Sequence, residues 1–140
     1  ESSMEQVPLA SEIGYINNYL DLQKIRYSTP GFIDFSISGD FSGIHVPPLI
    51  FMPFIENAFK HGDKMKPDPG ITIRLDIEKS RIFFEITNFI KESDEVKSRN
   101  SGFGLPNIRR RLDLLFERRY SLEIDTINDQ FSVKLKLFLS

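Results

Sequence analysis

Ile71, Ile73, Leu75 and Ile77 alternate without a break with Thr72, Arg74, Asp76 and Glu78, and no other stretch constrains the chain as much. Successive side chains of a strand point to opposite faces, so 71–78 reads as a strand with one face in a core and the other in water. Glu78-Lys79-Ser80 makes a hairpin turn, and Ile82 to Thr87 returns beside it. Ile33, Phe35 and Ile37 alternate in the same way, and Ser121 to Ile127 with Phe131 to Leu139 form a last hairpin around Asn128-Asp129. The apolar face of such a sheet must be covered. Leu9, Ile13, Ile16 and Leu20, widened by Tyr15, Tyr19 and Leu22, predict an amphipathic helix over 9–27. Gly14 weakens it by up to about 1 kcal/mol relative to alanine. Leu105, Ile108, Leu112 and Leu115 predict a second helix over 105–118. The expected fold is an α+β two-layer sandwich: a mixed, mostly antiparallel sheet with about three helices on one face.

The third helix lies within Val46 to Gly62. Pro47 and Pro48 suit a first helical turn, because proline's fixed φ is helix-like and its missing N–H has no intrahelical acceptor there. Pro53 is awkward further in, so an irregular first turn is expected before regular helix near residue 53. Gly62 suits the left-handed conformation that often ends a helix. Asn57, Lys60 and His61 fall on one side, while Phe54, Ile55, Ala58 and Phe59 cover the rest. An amide oxygen, an ammonium and an imidazole on one edge suit a metal-bound polyphosphate, the oxygen on Mg2+ and the cations on phosphate oxygens. Each has an ordinary alternative: Asn57 bridging backbone groups, Lys60 solvated near a helix C-terminus, His61 capping the helix end.

Gly102 and Gly104 flank Phe103 at the mouth of the 105–118 helix. Glycine there lets backbone N–H groups approach a phosphate, and the helix N-terminus adds partial positive charge; an ordinary turn is the alternative. Asp63 to Gly70 reads as a surface connection. Phe89 to Ser101 is charged and aperiodic, a loop of a length more often functional than accidental.

Composition sets outer bounds. With 140 residues, 40% of them apolar and 13 of them Phe, the chain fills one core. Lys plus Arg number 18 against 20 acids, a net charge of -2, so nothing in the global balance points to nucleic acid or an anionic membrane. With no cysteine, disulfides and thiolate metal sites are excluded. No run of about 18 apolar residues exists to cross a bilayer as a helix, and the first residues are acidic, unlike a signal peptide.

Pro47-Pro48, Glu56-Asn57-Ala58 and Lys60-His61-Gly62 together resemble the N box of LytS-type sensor histidine kinases. These lie within the superfamily of gyrase, histidine kinase and mismatch-repair ATPases, whose fold is called the Bergerat fold. Ser101-Gly-Phe-Gly-Leu-Pro-Asn-Ile-Arg-Arg-Arg-Leu112 resembles that family's second glycine box and the helix after it, in the right order and separation. Glu12, Tyr19 and Arg26 resemble its lead-in helix. The resemblance implies a lead-in helix at 1–27, continuing from a phosphoacceptor and dimerisation segment, and a catalytic domain at 28–140 that binds ATP and Mg2+.

On that basis Asn57 meets Mg2+, Lys60 and His61 meet phosphate oxygens, and the Gly102, Phe103, Gly104 and Leu105 segment cradles phosphate at the end of an ATP lid. Arg111 matches a family position, the rest of the run with Arg109 and Arg110 reading as solvated surface, and Lys97 and Arg99 could reach the γ-phosphate. Two departures stand out. Where the wider family has Asp-x-Gly for the adenine amino group, this chain has Thr87-Asn88-Phe89, so Asn88 must act through its amide oxygen or a water. Where hydrolytic members carry a glutamate one turn before the asparagine, this chain has Pro53. Glu56 instead adjoins Asn57, able to order metal-bound water or orient an acceptor, which favours transfer over hydrolysis.

The family's acceptor is a histidine in a sequence resembling Asn-Pro-His-Phe, which this chain lacks; His45 and His61 lie in other contexts. The resemblance therefore implies a histidine kinase domain that needs an acceptor from outside the chain and would not autophosphorylate alone. It further implies a response regulator downstream, a homodimeric parent in the plasma or inner membrane, and a cytoplasmic place for this domain. Two alternatives stay open: a degenerate Bergerat module that regulates by protein contact without ATP, and an anti-sigma-type serine kinase.

Overall fold

The alternation in the strands does become a single buried face. Ile71, Ile73, Leu75 and Ile77 share a core with Ile82, Phe84 and Ile86 and with Phe131, Val133, Leu135 and Leu137. The computed structural model describes residues 5–26, 31–62, 70–90 and 105–139. In chain order the elements are β1 (Val7–Pro8), α1 (Leu9–Arg26), β2 (Ile33–Ser38), β3 (His45–Val46), α2 (Met52–His61), β4 (Ile71–Glu78), β5 (Arg81–Phe89), α3 (Leu105–Phe116), β6 (Tyr120–Ile127) and β7 (Gln130–Phe138). The main sheet runs β2-β4-β5-β7-β6, with β2 parallel to β4 and every other neighbour antiparallel. The parallel pair needs a long crossover, and the segment carrying α2 supplies it.

Both hairpins of the sheet follow the expected turns. Asn128, at the tip of the second, has φ 59, a conformation asparagine tolerates better than most residues. Across the open face Arg74 stands opposite Glu85, Glu85 opposite Lys134 and Lys134 opposite Glu123. Opposite charges directly across a ladder stabilise by roughly 0.2–1 kcal/mol per pair, which fits this face to water.

The three helices among the described residues cover the other face. α1 contributes Leu9, Ile13, Ile16 and Leu20 to the same core as the sheet, and α3 contributes Leu105, Leu112 and Phe116. Gly14 lies in α1 with nothing within 4 Å of the position its Cβ would take. Gly14→Ala is therefore expected to raise stability by up to about 1 kcal/mol through helix propensity alone. Chemical denaturation would show it as a higher midpoint at unchanged slope.

Two expectations need correction, and one feature went unread. Pro47 and Pro48 do not sit in a helical turn: α2 starts at Met52, after an irregular segment in which Leu49 takes φ 57. Pro53 fills the first-turn position instead, where a missing N–H costs nothing. The regular helix thus begins near residue 53, as its sequence implies. Second, Gly62 is extended, with φ -69 and ψ 152, not left-handed. The short pair β1 and β3 was not visible in the sequence, since two-residue strands have no periodicity to read.

Candidate functional site

α2 carries the polar edge proposed for it. Phe54, Ile55, Ala58 and Phe59 are buried, Asn57 and His61 are half-buried, and Glu56 and Lys60 are exposed. Its buried side is fixed by aromatic packing: the Phe51 and Phe54 rings lie 4.9 and 6.0 Å from that of Phe84 on β5, and Tyr19 of α1 meets Phe59 edge-on at 5.6 Å. A rigid buried side gives the polar edge a fixed aim.

The end of α2 is joined to the sheet. Gly62 forms an antiparallel bridge with Ile90, just past β5, and Ile90 N–H donates to the Asp129 carbonyl at 2.9 Å. Gly62 N–H donates to the Ala58 carbonyl at 2.8 Å, and a Cβ on residue 62 would come within 2.4 Å of that same oxygen. Glycine is needed here for space. The same Cβ would lie 3.4 Å from Asn88 Nδ2, so the side of Gly62 on which a Cβ would stand faces Asn88. Asn88 is only 3% exposed, and its Nδ2 donates to the Phe89 carbonyl at 3.1 Å. The structure therefore brings the C-terminal end of α2, with His61, next to Asn88 at the end of β5.

At the other end of α2, Arg111 of α3 donates to the carbonyls of Pro48 and Leu49. Arg109 and Arg110 are exposed, in line with the expectation that most of the basic run is solvated. Glu12 of α1, 6% exposed, accepts the Leu49 N–H at 2.8 Å. That Glu12 and Arg111 converge on one peptide unit could not be read from the sequence, which marks them only by their match to family positions.

Leu105 opens α3 with its side chain in the core, so only its backbone N–H, at a helix N-terminus, is oriented for an anion. Gly102, Phe103, Gly104, Lys97 and Arg99 lie outside the described residues. A cavity of about 280 Å³ on the sheet, lined by Arg74, Asp76, Phe83, Glu85, Lys134 and Lys136 among others, opens on the face away from the helices. It is remote from Asn57. Among the described residues no cluster of three His, Cys, Asp or Glu side chains could hold a metal by itself.

Comparison with known proteins places this geometry. No protein-family model matches the chain. It is 28% identical over 129 residues to the sensor histidine kinase BtsS of Escherichia coli K12, covering 91% of this chain and 23% of that protein. It is likewise 28% identical over 130 residues to the sensor protein LytS of Staphylococcus saprophyticus, covering 84% of this chain and 22% of that one. In structure it superposes on the catalytic domain of the histidine kinase ThkA with a TM-score of 0.60 at 15% identity, covering 98% of this chain and 96% of that domain. On the Acinetobacter baumannii histidine kinase AdeS the TM-score is 0.61 at 9% identity, covering 99% and 68%. Over most of its length the chain is similar in sequence to sensor histidine kinases of the LytS and BtsS type, and it shares the fold of histidine kinase catalytic domains.

Of the residues that resemble the N box, Glu56, Asn57, Ala58, Lys60 and His61 lie on α2, and α3 begins at Leu105. The domain spans 22–23% of the length of the sensor kinases it matches. None of its described helices is long and apolar enough to cross a membrane.

Proposed function

We propose that this domain binds Mg-ATP beside α2 and presents the γ-phosphate to a histidine on another segment of a sensor kinase. The observation that supports the reading is the polar edge of α2 ending against Asn88: an amide, an ammonium, an imidazole and a second amide follow one another from Asn57 to Asn88. Bound Mg-ATP would supply the phosphoryl group and the charge that the metal offsets. The chain's own residues do the positioning. Asn57 offers its amide oxygen to Mg2+, Lys60 and His61 take phosphate oxygens, and the Gly102, Phe103, Gly104 and Leu105 segment, next before α3 in the chain, cradles phosphate through backbone N–H groups.

Asn88 takes the place of the carboxylate common in the wider superfamily. With Nδ2 committed to the Phe89 carbonyl, Oδ1 is the atom left to accept from the adenine amino group. The neutral acceptor makes a weaker bond than a carboxylate would; outright loss of a carboxylate's bond would cost roughly 1.5–3 kcal/mol, and a neutral acceptor in its place gives up only part of that. Glu56, exposed beside Asn57, orders metal-bound water or orients the acceptor. Pro53, one turn earlier, cannot activate water, so transfer is favoured over hydrolysis. Leu22 and Ile25 on the outer side of α1 are 64% and 81% exposed and form the surface for the phosphoacceptor segment. A response regulator then takes the phosphoryl group from that histidine, in the cytoplasm and within a homodimeric parent.

Titration with a fluorescent ATP analogue tests this directly. Saturable binding that weakens when Mg2+ is removed is the expected result. No binding at millimolar nucleotide would favour the reading as a non-binding regulatory module, for which Thr87 and Phe89, standing where the wider family has Asp-x-Gly, are the specific support. Addition of the histidine segment with labelled ATP should then give acid-labile phosphate on that segment.

A further inference from the structure

Leu49 is a branched residue held at φ 57, in the left-handed region that side chains with a Cβ rarely adopt. Both polar groups of this residue are taken by side chains from distant parts of the chain. Its N–H donates to Glu12 Oε1 of α1 at 2.8 Å, and its carbonyl accepts from Arg111 Nη1 of α3 at 2.9 Å. Arg111 Nη2 also donates to the Pro48 carbonyl. Glu12 is buried, at 6% exposure, so its carboxylate has little freedom to turn elsewhere. Immediately after Leu49, Ile50, Phe51 and Met52 are all buried, and the Phe51 carbonyl accepts the first α2 amides, from Phe54 at 3.1 Å and Ile55 at 3.3 Å. A change at Leu49 therefore has nowhere to relax before it reaches α2.

We propose that Glu12 and Arg111 are positioning residues that clamp Leu49 from two helices and thereby set how α2 presents its nucleotide-facing edge. α1 leads in from one side, and α3 follows the glycine box on the other; Leu49 is where both act on the start of α2. A tilt of α1 moves Glu12 and is passed through one peptide to Asn57, Lys60 and His61. The link to nucleotide rests on the ATP-site reading above, but the clamp itself does not. A charged donor bonded to two carbonyls is stronger than a neutral one, and the strained φ reverts once the holding groups go. Glycine adopts φ near +57 without strain, so a glycine at 49 needs less holding.

The experiment compares wild type, Arg111→Met, Leu49→Gly and the double variant, with Glu12→Leu and Glu12→Gln as a second pair. Each is titrated with the fluorescent ATP analogue and Mg2+, well below its melting temperature. Arg111→Met is expected to weaken binding roughly tenfold, and adding Leu49→Gly to recover most of that loss. Glu12→Gln keeps an acceptor oxygen and should bind as wild type, whereas Glu12→Leu should not. Unchanged affinity in Arg111→Met, or a double variant as weak as the single one, would overturn the proposal. A purely structural role lowers the melting temperature without this rescue. If wild type binds no nucleotide, the ATP reading fails on its own. Hydrogen exchange at the Phe54 and Ile55 amides then decides the clamp: faster in Arg111→Met and restored in the double variant, or unaltered and against it. Should Arg111→Met not fold, the Glu12 pair gives the same decision.

Discussion

Asn57→Ala is expected to remove the Mg2+ dependence of nucleotide binding and to lower affinity about ten- to a hundredfold, while the domain stays folded. The size follows from losing one interaction with a charged partner, about 1.5–3 kcal/mol. The fold should tolerate the change because the position is half-buried and alanine is the best helix former. Asn57 also has an interaction within the domain, so the melting temperature must be measured beside the titration. The Mg2+ dependence separates the two causes. If binding merely weakens because the variant is partly unfolded, the folded fraction keeps the wild-type ratio between affinities with and without metal. If the amide is the metal's protein ligand, that ratio collapses toward one. A variant that keeps the full ratio would remove Asn57 from the metal site.

The second large effect concerns the packing that aims this edge. Phe84→Ala should destabilise the domain by about 3–5 kcal/mol, the usual range for deleting a buried aromatic side chain. Phe84 is 1% exposed and touches two rings on the α2 side, Phe51 and Phe54, so its removal leaves a cavity between sheet and helix. Domains of this size are typically stable by only about 5–15 kcal/mol, so a large share of the total is at risk. Denaturant unfolding of the variant should show a much lower midpoint, and Phe84→Leu should recover part of it. A loss below about 1 kcal/mol would mean that the rings of α2 and β5 do not depend on each other as described.

These two positions differ in how they could be known. Asn57 was visible because its neighbours Lys60 and His61 recur at helical spacing and because the Glu56 to Gly62 run resembles a known box. That Phe84 is buried was visible too, from alternation along 82–87. That it faces Phe51 and Phe54 was not, since those partners lie about thirty residues away and periodicity carries no information about which elements meet. Asn88 shows the same division. The sequence marks it as a departure from Asp-x-Gly, but only the fold shows it buried beside Gly62 with its amide nitrogen engaged.

Local pattern by itself determined the strands from Ile71 to Glu78 and at the two hairpins, the helices at Leu9–Arg26 and Leu105–Phe116, and the polar edge of α2, because each depends on side chains a few residues apart. The tertiary structure decided the rest. It set β2 parallel beside β4, gave Gly62 an extended conformation against Ile90, and brought Glu12 and Arg111 to the two sides of Leu49. Each of these joins groups far apart in the chain. Such contacts form only when the whole core closes, and neither residue of a pair carries a mark of the other.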